Sequence, residues 1–329
     1  MIIYISSYTA HLNQLLYSAL EFSKVHKHRL IIKYDNSIKE NCALIEFNNN
    51  SYFLDYSDNY VFSDLHTQYD YYLKRSLRQE DYKGNIKPLN FQINFATSPF
   101  VLFNKLPKNK EFLVKSKIEI LRMLDVFKLT NMSHYSMLYD VFVKAQNNKG
   151  DGKIIFYTRL WDPDNNKNPD EKKRREKQND FRIGACRIIK DNFKNSKVGV
   201  FDSKLARAVC PDLIFPNKII SKKEYFSELS NSSICIADDG LKDTPGWKIG
   251  EYALMGKSII STPINVLIKD FIQDLNYLEL TDRNSYEEIP DKVEYFLSNN
   301  NYLRMSEQNV FWSEKYLHPS TYISNIIDG

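Results

Sequence analysis

The sequence predicts an α/β protein of two doubly wound domains with a ligand-binding cleft between them. Its 329 residues exceed what one hydrophobic core ordinarily holds and suit two domains. After residue 153, short apolar strands alternate with helical segments, which is typical of a parallel sheet that binds ligands at the carboxyl ends of its strands. The segment 145–153 (AQNNKGDGK) is polar and contains two glycines, so we predict that it links the domains.

The first domain is predicted over residues 1–147, with a less regular order of strands and helices. In chain order we predict a strand at 2–6, a helix at 7–25, a strand at 30–34, two strands within 43–55, and helices at 64–80 and 111–146. Asn48-Asn49-Asn50 is a hairpin turn signal between the two strands of 43–55. The helix at 64–80 is predicted because Tyr69, Tyr72, Leu73 and Leu77 share one helical face.

The second domain is predicted over residues 153–300, followed by C-terminal helices over 301–329. In chain order we predict strands at 154–157, 198–201, 233–237 and 258–261, and helices at 173–192, 222–229, 245–255, 285–298 and 301–314. His318-Pro319 is interpreted as the stop of the last of these helices.

Composition excludes several classes of function. Hydrophobic residues make up 43% and charged residues 26%, as in ordinary soluble proteins, and no apolar run is long enough to cross a membrane. The net charge of +4 is too small to indicate nucleic-acid binding. The four cysteines lie far apart, which favours reduced, buried thiols. The N-terminus lacks a basic leader region, so we expect a cytoplasmic protein.

The segment 243–261 (DTPGWKIGEYALMGKSIIS) carries the most functional information. Asp243 and Glu251 are separated by seven residues. Thr244 is predicted to cap a helix that starts at Pro245, and Gly256 to end it before the next strand. The free N–H groups and positive dipole end of such a helix suit a phosphate.

This segment resembles the donor-binding segment of GT-B glycosyltransferases, which are built from two Rossmann-like domains. The resemblance covers residues 153–262 and implies that Glu251 holds the ribose hydroxyls of a nucleotide sugar. It implies that Asp243 approaches the transferred sugar, although a Glu is more usual at that position. It also implies that the C-terminal helices pack back on the first domain. The donor-binding residues that we predict are Asp243, Thr244, Gly246, Trp247, Lys248, Glu251 and Lys173.

Several of these residues have a second interpretation. Trp247 can stack on a base or belong to the core. Lys248 can meet phosphate or pair with Glu251 three residues later. Lys172 or Lys173, in the charged run 167–177, can bind phosphate, form a solvated helix start, or contact anionic lipid.

Arg159 follows the first predicted strand of the second domain. In GT-B transferases an Arg at this place meets the donor diphosphate, so the resemblance implies a catalytic role for Arg159. Thr158 stands where that family usually has Gly, and the alternative is a surface pair of Arg159 with Asp162. Asp238-Asp239-Gly240 end a later strand and can either face the ligand or form a turn. The resemblance implies no catalytic metal.

The first domain gives weaker signals. Ser7, His11, Asp55 and Asp58 lie at or just beyond predicted strand ends, whereas His66 and Arg75 lie in the predicted helix 64–80, where Arg75 can bind an acceptor phosphate or extend along a surface helix. A transferase that activates an acceptor hydroxyl needs a general base, for which Asp58 and His66 are the candidates. We predict that the remaining acceptor-side residues are Ser7, His11, Asp55 and Arg75.

The resemblance implies a metal-independent hexosyltransferase that moves a sugar from a nucleotide-sugar donor to a cell-surface glycan or lipid-linked acceptor, as in polysaccharide or lipopolysaccharide biosynthesis. Peripheral contact with the cytoplasmic face of the membrane is a further expectation, and no cofactor is expected. The alternatives are an epimerase-like enzyme that modifies a nucleotide sugar, and a GT-B-like binding subunit without catalysis.

Overall fold

A computed structural model describes residues 1–125, 137–215, 221–240 and 244–328. The chain forms two compact units. Unit 1 comprises Met1–Val141, Val266–Asp270 and Trp312–Gly329, and unit 2 comprises Phe142–Asn265 and Phe271–Phe311. Cys42, Cys186, Cys210 and Cys235 are buried free thiols.

Unit 1 contains a six-stranded mixed sheet of order β2-β1-β3-β4-β5-β6. Its strands are β1 (Ile2–Ile5), β2 (Ile31–Tyr34), β3 (Cys42–Phe47), β4 (Asn50–Asp55), β5 (Tyr71–Lys74) and β6 (Ile86–Pro88). Strand β3 is antiparallel to β1 and β4, whereas β1 and β2, β4 and β5, and β5 and β6 pair in parallel. The carboxyl ends of β1, β4 and β5 therefore lie along one edge of the sheet.

The hairpin predicted within 43–55 is confirmed, because β3 and β4 pair across Asn48 and Asn49, whose φ angles are 51° and 63°. The helix predicted over 64–80 is wrong. Strand β5 lies there, between two short 3-10 turns. Three consecutive residues of β5, Tyr72, Leu73 and Lys74, are buried. A strand between two neighbours can bury consecutive side chains on both faces, and tyrosine favours strands.

Unit 1 also contains a two-stranded pair, β7 (Phe95–Ala96) and β8 (Met137–Leu138), and helix α1 packs on β7. The helices of this unit are α1 (Asn13–Val25), α2 (Pro99–Lys105), α3 (Lys110–Leu124) and α11 (Pro319–Ile327). Helix α11 lies within the C-terminal helices predicted over 301–329, although its own bounds were not predicted. Its N-cap is His318, whose ring nitrogen Nδ1 accepts from the Ser320 N–H at 3.2 Å. The His-Pro pair therefore begins a helix and packs it against α1.

Unit 2 contains a five-stranded parallel sheet of order β10-β9-β11-β12-β13. Its strands are β9 (Ile154–Thr158), β10 (Ser196–Val200), β11 (Ile234–Ala237), β12 (Ser258–Ser261) and β13 (Leu278–Glu279). The helices around it are α5 (Pro169–Asn192), α6 (Lys204–Val209), α7 (Lys222–Ser230), α8 (Trp247–Leu254) and α9 (Ile289–Leu297). The unit boundaries fall inside α4 (Tyr139–Gln146) and α10 (Asn301–Tyr316).

The predicted α/β class is confirmed, since each unit is built from a sheet and its flanking helices. The core of unit 2 consists of apolar strand residues such as Ile154, Phe156 and Ile236 against Phe181 and Ile189 of α5. Within the described residues, no helix has the length and apolar character needed to cross a membrane.

Candidate functional site

In unit 2, polar side chains collect where parallel strands end. Arg159 follows β9, Asp238 and Asp239 follow β11, and Thr262 follows β12. The Asp239 N–H donates to Thr262 Oγ1 at 3.0 Å, which ties two adjacent strand ends together. We call the carboxyl edge of this sheet, with the start of α8, the unit 2 site.

Helix α8 brings Glu251 and Lys248 to this site. It begins at Trp247 with Gly246 as N-cap, two residues later than predicted. The predicted start was wrong because the residues before it are extended. The Thr244 carbonyl accepts from the Gly240 N–H at 2.5 Å, and Asp239 pairs with Pro245 as an antiparallel bridge.

At its other end, helix α8 stops before Gly256, which adopts the left-handed φ of +61° expected of a helix-ending glycine. A Cβ at Gly256 would lie 2.6 Å from Val310 Cγ2, so the position also requires a small residue. Trp247 is half-buried. Asp243, the first acid of the predicted pair, lies outside the described residues.

Glu251 is buried, with 6% of its surface exposed, and its ion-pair partner is Lys222 at 3.8 Å. Burial raises the pKa of Glu251, while the charges of Lys222 and Lys248 oppose the rise. Burial also lowers the pKa of Lys222. A carboxylate held inside the protein between two cations can accept hydrogen bonds from a ligand.

Lys222 was not predicted, although a signal for its position exists. Ser221 and Glu224 form a capping box at the start of α7, which places Lys222 in the first turn of that helix. The pattern locates the helix start, but only the tertiary fold shows that the ammonium reaches Glu251.

Lys248 donates a hydrogen bond to the carbonyl oxygen of Tyr157, at the end of β9. Burial lowers the pKa of Lys248 to about 8, and the nearby Asp238 carboxylate limits the drop. The ion-pair partner of Glu251 is Lys222, not Lys248. The ammonium group of Lys248 is instead held at the end of β9.

Arg159 is exposed, and its guanidinium lies over the rings of Trp161 (5.5 Å) and Phe201 (5.9 Å). The alternative pairing with Asp162 is not formed. The Asp162 side chain instead caps a 3-10 turn by accepting from the Asp164 N–H at 3.0 Å. Within the described parts of the chain, no carboxylate forms an ion pair with Arg159, so its guanidinium can meet an anionic ligand.

From the charged run 167–177, the residue that reaches the unit 2 site is Arg174 and not the predicted Lys173. Lys173 is exposed, and Lys172 pairs with Asp164. Arg174 is buried instead and donates to the Gly240 carbonyl at 3.0 Å. Helical phase explains the difference from Lys173, because Arg174 lies four and eight residues before Gln178 and Arg182 and so shares their face of the helix.

Asp238 and Asp239 are engaged in ion pairs. Asp238 Oδ2 accepts from Arg182 Nε at 2.7 Å, and Asp239 lies 3.1 Å from Arg283 and 3.6 Å from Arg174. Among the residues that the structure describes, no group of three or more His, Cys, Asp or Glu side chains could hold a metal ion. The two acids thus organise the basic side chains around the strand ends.

Cationic side chains are numerous at the unit 2 site. They are Arg159, Arg174, Arg182, Lys222, Lys248 and Arg283, and Glu171, Asp238, Asp239 and Glu251 are the carboxylates that pair with several of them. Cations and backbone N–H groups at strand ends favour a phosphorylated ligand.

In unit 1, three predicted residues meet at the carboxyl edge of the sheet. His11 lies after β1, Asp58 after β4 and Arg75 after β5. Arg75 is buried and donates to Asp58, and His11 Nε2 lies 3.9 Å from the other carboxylate oxygen. Burial, reinforced by the charge of Arg75, lowers the pKa of His11 to about 4, so the imidazole is neutral at pH 7. Burial lowers the pKa of Arg75 to about 10.

The other unit 1 candidates have different surroundings. Asp55 is fully buried and accepts from Lys74 Nζ at 2.9 Å and Tyr72 Oη at 2.8 Å, which indicates a structural role. Ser7 is buried after β1. His66 lies on a 3-10 turn with its ring 5.6 Å from that of Phe62, and forms no described contact with Asp58.

No protein-family model matches the chain, and no curated protein matches it. Solved structures with a similar arrangement include a glycosyltransferase from Rickettsia africae, at 11% identity and a TM-score of 0.42, covering 99% of this chain and 96% of that one. A UDP co-structure of MnaA from S. aureus matches at 11% identity and a TM-score of 0.40, covering 100% and 98%. WaaG, a glycosyltransferase involved in lipopolysaccharide biosynthesis, matches at 8% identity and a TM-score of 0.38, covering 99% of each chain. At these identities the matches transfer no functional residue, so residue roles rest on this chain's own side chains.

Proposed function

We propose that the protein is a glycosyltransferase that uses a nucleotide-sugar donor and binds it at the unit 2 site. The observation that carries the proposal is the buried Glu251 carboxylate on α8, set beside two lysines at the edge where parallel strands end. A carboxylate among excess cations provides both functions that such a donor requires. The carboxylate accepts from the ribose hydroxyls, and the cations receive the phosphates.

Arg159 and Lys248 are the proposed partners of the diphosphate. As the glycosidic bond breaks, negative charge grows on the leaving nucleoside diphosphate, and a cation already in position stabilises that charge without reorganisation. Arg159 suits this role because its guanidinium forms no ion pair within the described residues and can form a bidentate contact.

The acceptor is proposed to be a glycan or lipid-linked saccharide that binds at the His11–Asp58–Arg75 cluster of unit 1. The neutral imidazole of His11 can accept a hydrogen bond from an acceptor hydroxyl and orient it, and the Asp58 carboxylate 3.9 Å away can take its proton. Arg75 holds Asp58 in place. This assignment replaces His66, which lacks a described carboxylate partner.

Nucleotide affinity tests the donor assignment. Wild type, Glu251→Gln and Glu228→Gln are titrated with UDP, GDP, ADP and dTDP by calorimetry. Glu228 is the matched control because it pairs at 2.7 Å with Lys153, which precedes β9 at the opposite edge of the sheet from the carboxyl strand ends. Hydrogen bonds to a charged group contribute roughly 1.5–3 kcal/mol, so Glu251→Gln should weaken binding about tenfold or more. Equal affinities in all three folded proteins would contradict the assignment.

A further inference from the structure

Helix α3 of unit 1 exposes an apolar stripe on the face opposite the core. Its buried side is formed by Phe112, Ser116, Ile120 and Met123. Val114, Ile118 and Leu121 are 66%, 55% and 46% exposed. At about 100° per residue these three fall within an arc of roughly 60° on the opposite side. A helix needs only one apolar face to pack on a core, so a second one indicates another apolar contact.

Basic residues border this stripe on both sides. Lys110 and Lys117 lie along one margin, and Lys115 and Arg122 along the other. Lys115 pairs with Glu111 and Arg122 with Glu119, whereas Lys110 and Lys117 form no ion pair with another described residue. Helix α2, which packs on α3, adds exposed Phe100 and Val101.

This region carries a net positive charge. Residues 99–124 contain six basic and two acidic side chains, a net charge of +4. A uniformly anionic surface complements such a segment, whereas a second copy of the chain would oppose like charges across the contact.

We propose that the exposed face of α3 docks on an anionic lipid bilayer. The apolar side chains enter the boundary between headgroups and acyl chains, and the flanking lysines extend toward the lipid phosphates. This surface differs from the run 167–177, which was the candidate from sequence. The inference does not depend on the donor site.

Vesicle sedimentation of the full chain tests the proposal. Vesicles of phosphatidylcholine with about 30% phosphatidylserine are compared with pure phosphatidylcholine at two salt concentrations. Wild type should bind the anionic vesicles more weakly as salt rises. Val114→Ser/Ile118→Ser/Leu121→Ser should abolish binding. Lys110→Gln/Lys117→Gln should lower partitioning about twenty-five-fold, because each basic residue near such a surface contributes about a fivefold factor.

Matched controls lie in unit 2. Lys194→Gln/Lys197→Gln removes two exposed lysines, and Ile272→Ser/Phe311→Ser removes two exposed apolar side chains (54% and 69%). Both should bind vesicles like wild type, and circular dichroism verifies that every variant is folded. Absence of binding to anionic vesicles, or equal losses in the controls, would overturn the proposal. Concentration-dependent dimerisation that the α3 variant abolishes would overturn it too, by assigning this face to a contact between copies. Since no nucleotide is present, the outcome is independent of the donor assignment.

Discussion

Replacing Asp55 tests whether the stability of unit 1 depends on a buried ion pair at the carboxyl edge of its sheet. Asp55 and Lys74 are 0% and 1% exposed, and their charged atoms lie 2.9 Å apart. The carboxylate also accepts from Tyr72 Oη, from the N–H and hydroxyl of Ser57, and from the Ser63 N–H. Burial raises the pKa of Asp55, but Lys74 and these hydrogen bonds outweigh burial and hold that pKa below its usual range.

Asp55→Ala should therefore lower the free energy of unfolding by about 3–5 kcal/mol, the range for removing one partner of a buried pair. That is a large share of the roughly 5–15 kcal/mol that stabilises a typical protein. Adding Lys74→Met should recover part of the loss, because the uncompensated ammonium is then gone.

Urea unfolding followed by circular dichroism measures the change, and hydrogen exchange over residues 50–75 locates it in unit 1. Asp70→Ala is the control. Asp70 is exposed and accepts from Ser51 in the same sheet, so the shift of its unfolding midpoint should be much smaller. If Asp55→Ala were as stable as Asp70→Ala yet used acceptor poorly, the structural role would be refuted and the predicted acceptor-side role of Asp55 supported.

Three further predictions concern charge. Arg159→Ala should lower kcat by a factor on the order of 10²–10³ with little change in donor KM, and Arg159→Lys should recover part of the loss. Normal turnover of Arg159→Ala in steady-state kinetics would contradict a catalytic role for Arg159. Nucleoside diphosphate affinity should fall as pH rises through about 8, where Lys248 loses its proton, and Lys248→Gln should bind weakly without that slope in calorimetry at pH 7 and 9. The pKa of His11 is about 4 in the folded protein and about 6.5 in the unfolded chain, so between these pH values only the unfolded chain binds a proton at His11. The free energy of unfolding should therefore fall by up to about 3 kcal/mol as pH decreases toward 4. In urea unfolding across this range, His11→Gln should reduce the slope and His66→Gln should keep it; the remaining slope includes His318, whose pKa burial also lowers.

Periodic patterns predicted unit 2 well because its strands are short apolar runs between amphipathic helices. The strand over residues 258–261 and the helix near 222–229 match β12 and α7 to within one residue. The helix expected over 64–80 failed, because spacing alone places Tyr72 and Leu77 on one helical face and does not reveal that Asp55 neutralises the buried Lys74. Local pattern could not supply that distant partner.

The same limit applies to the sites. Strand-end position predicted that His11 and Asp58 would be candidates, whereas Arg75 was assigned to a predicted helix, and the strand order brings all three together. It could not distinguish Arg174 from its neighbour Lys173, since the choice depends on helical phase against the Gly240 loop. Lys222 was missed for a similar reason, since its contact with Glu251 joins residues 29 positions apart in sequence.

Turnover of the donor tests the central claim most directly. The purified protein is incubated with UDP-, GDP-, ADP- and dTDP-sugars without acceptor, and released nucleoside diphosphate is measured by mass spectrometry. The account predicts release from donors of one base, reduced about tenfold or more by Glu251→Gln and unaffected by Glu228→Gln. Binding of a nucleotide without any release, or release that Glu251→Gln leaves unchanged, would contradict it.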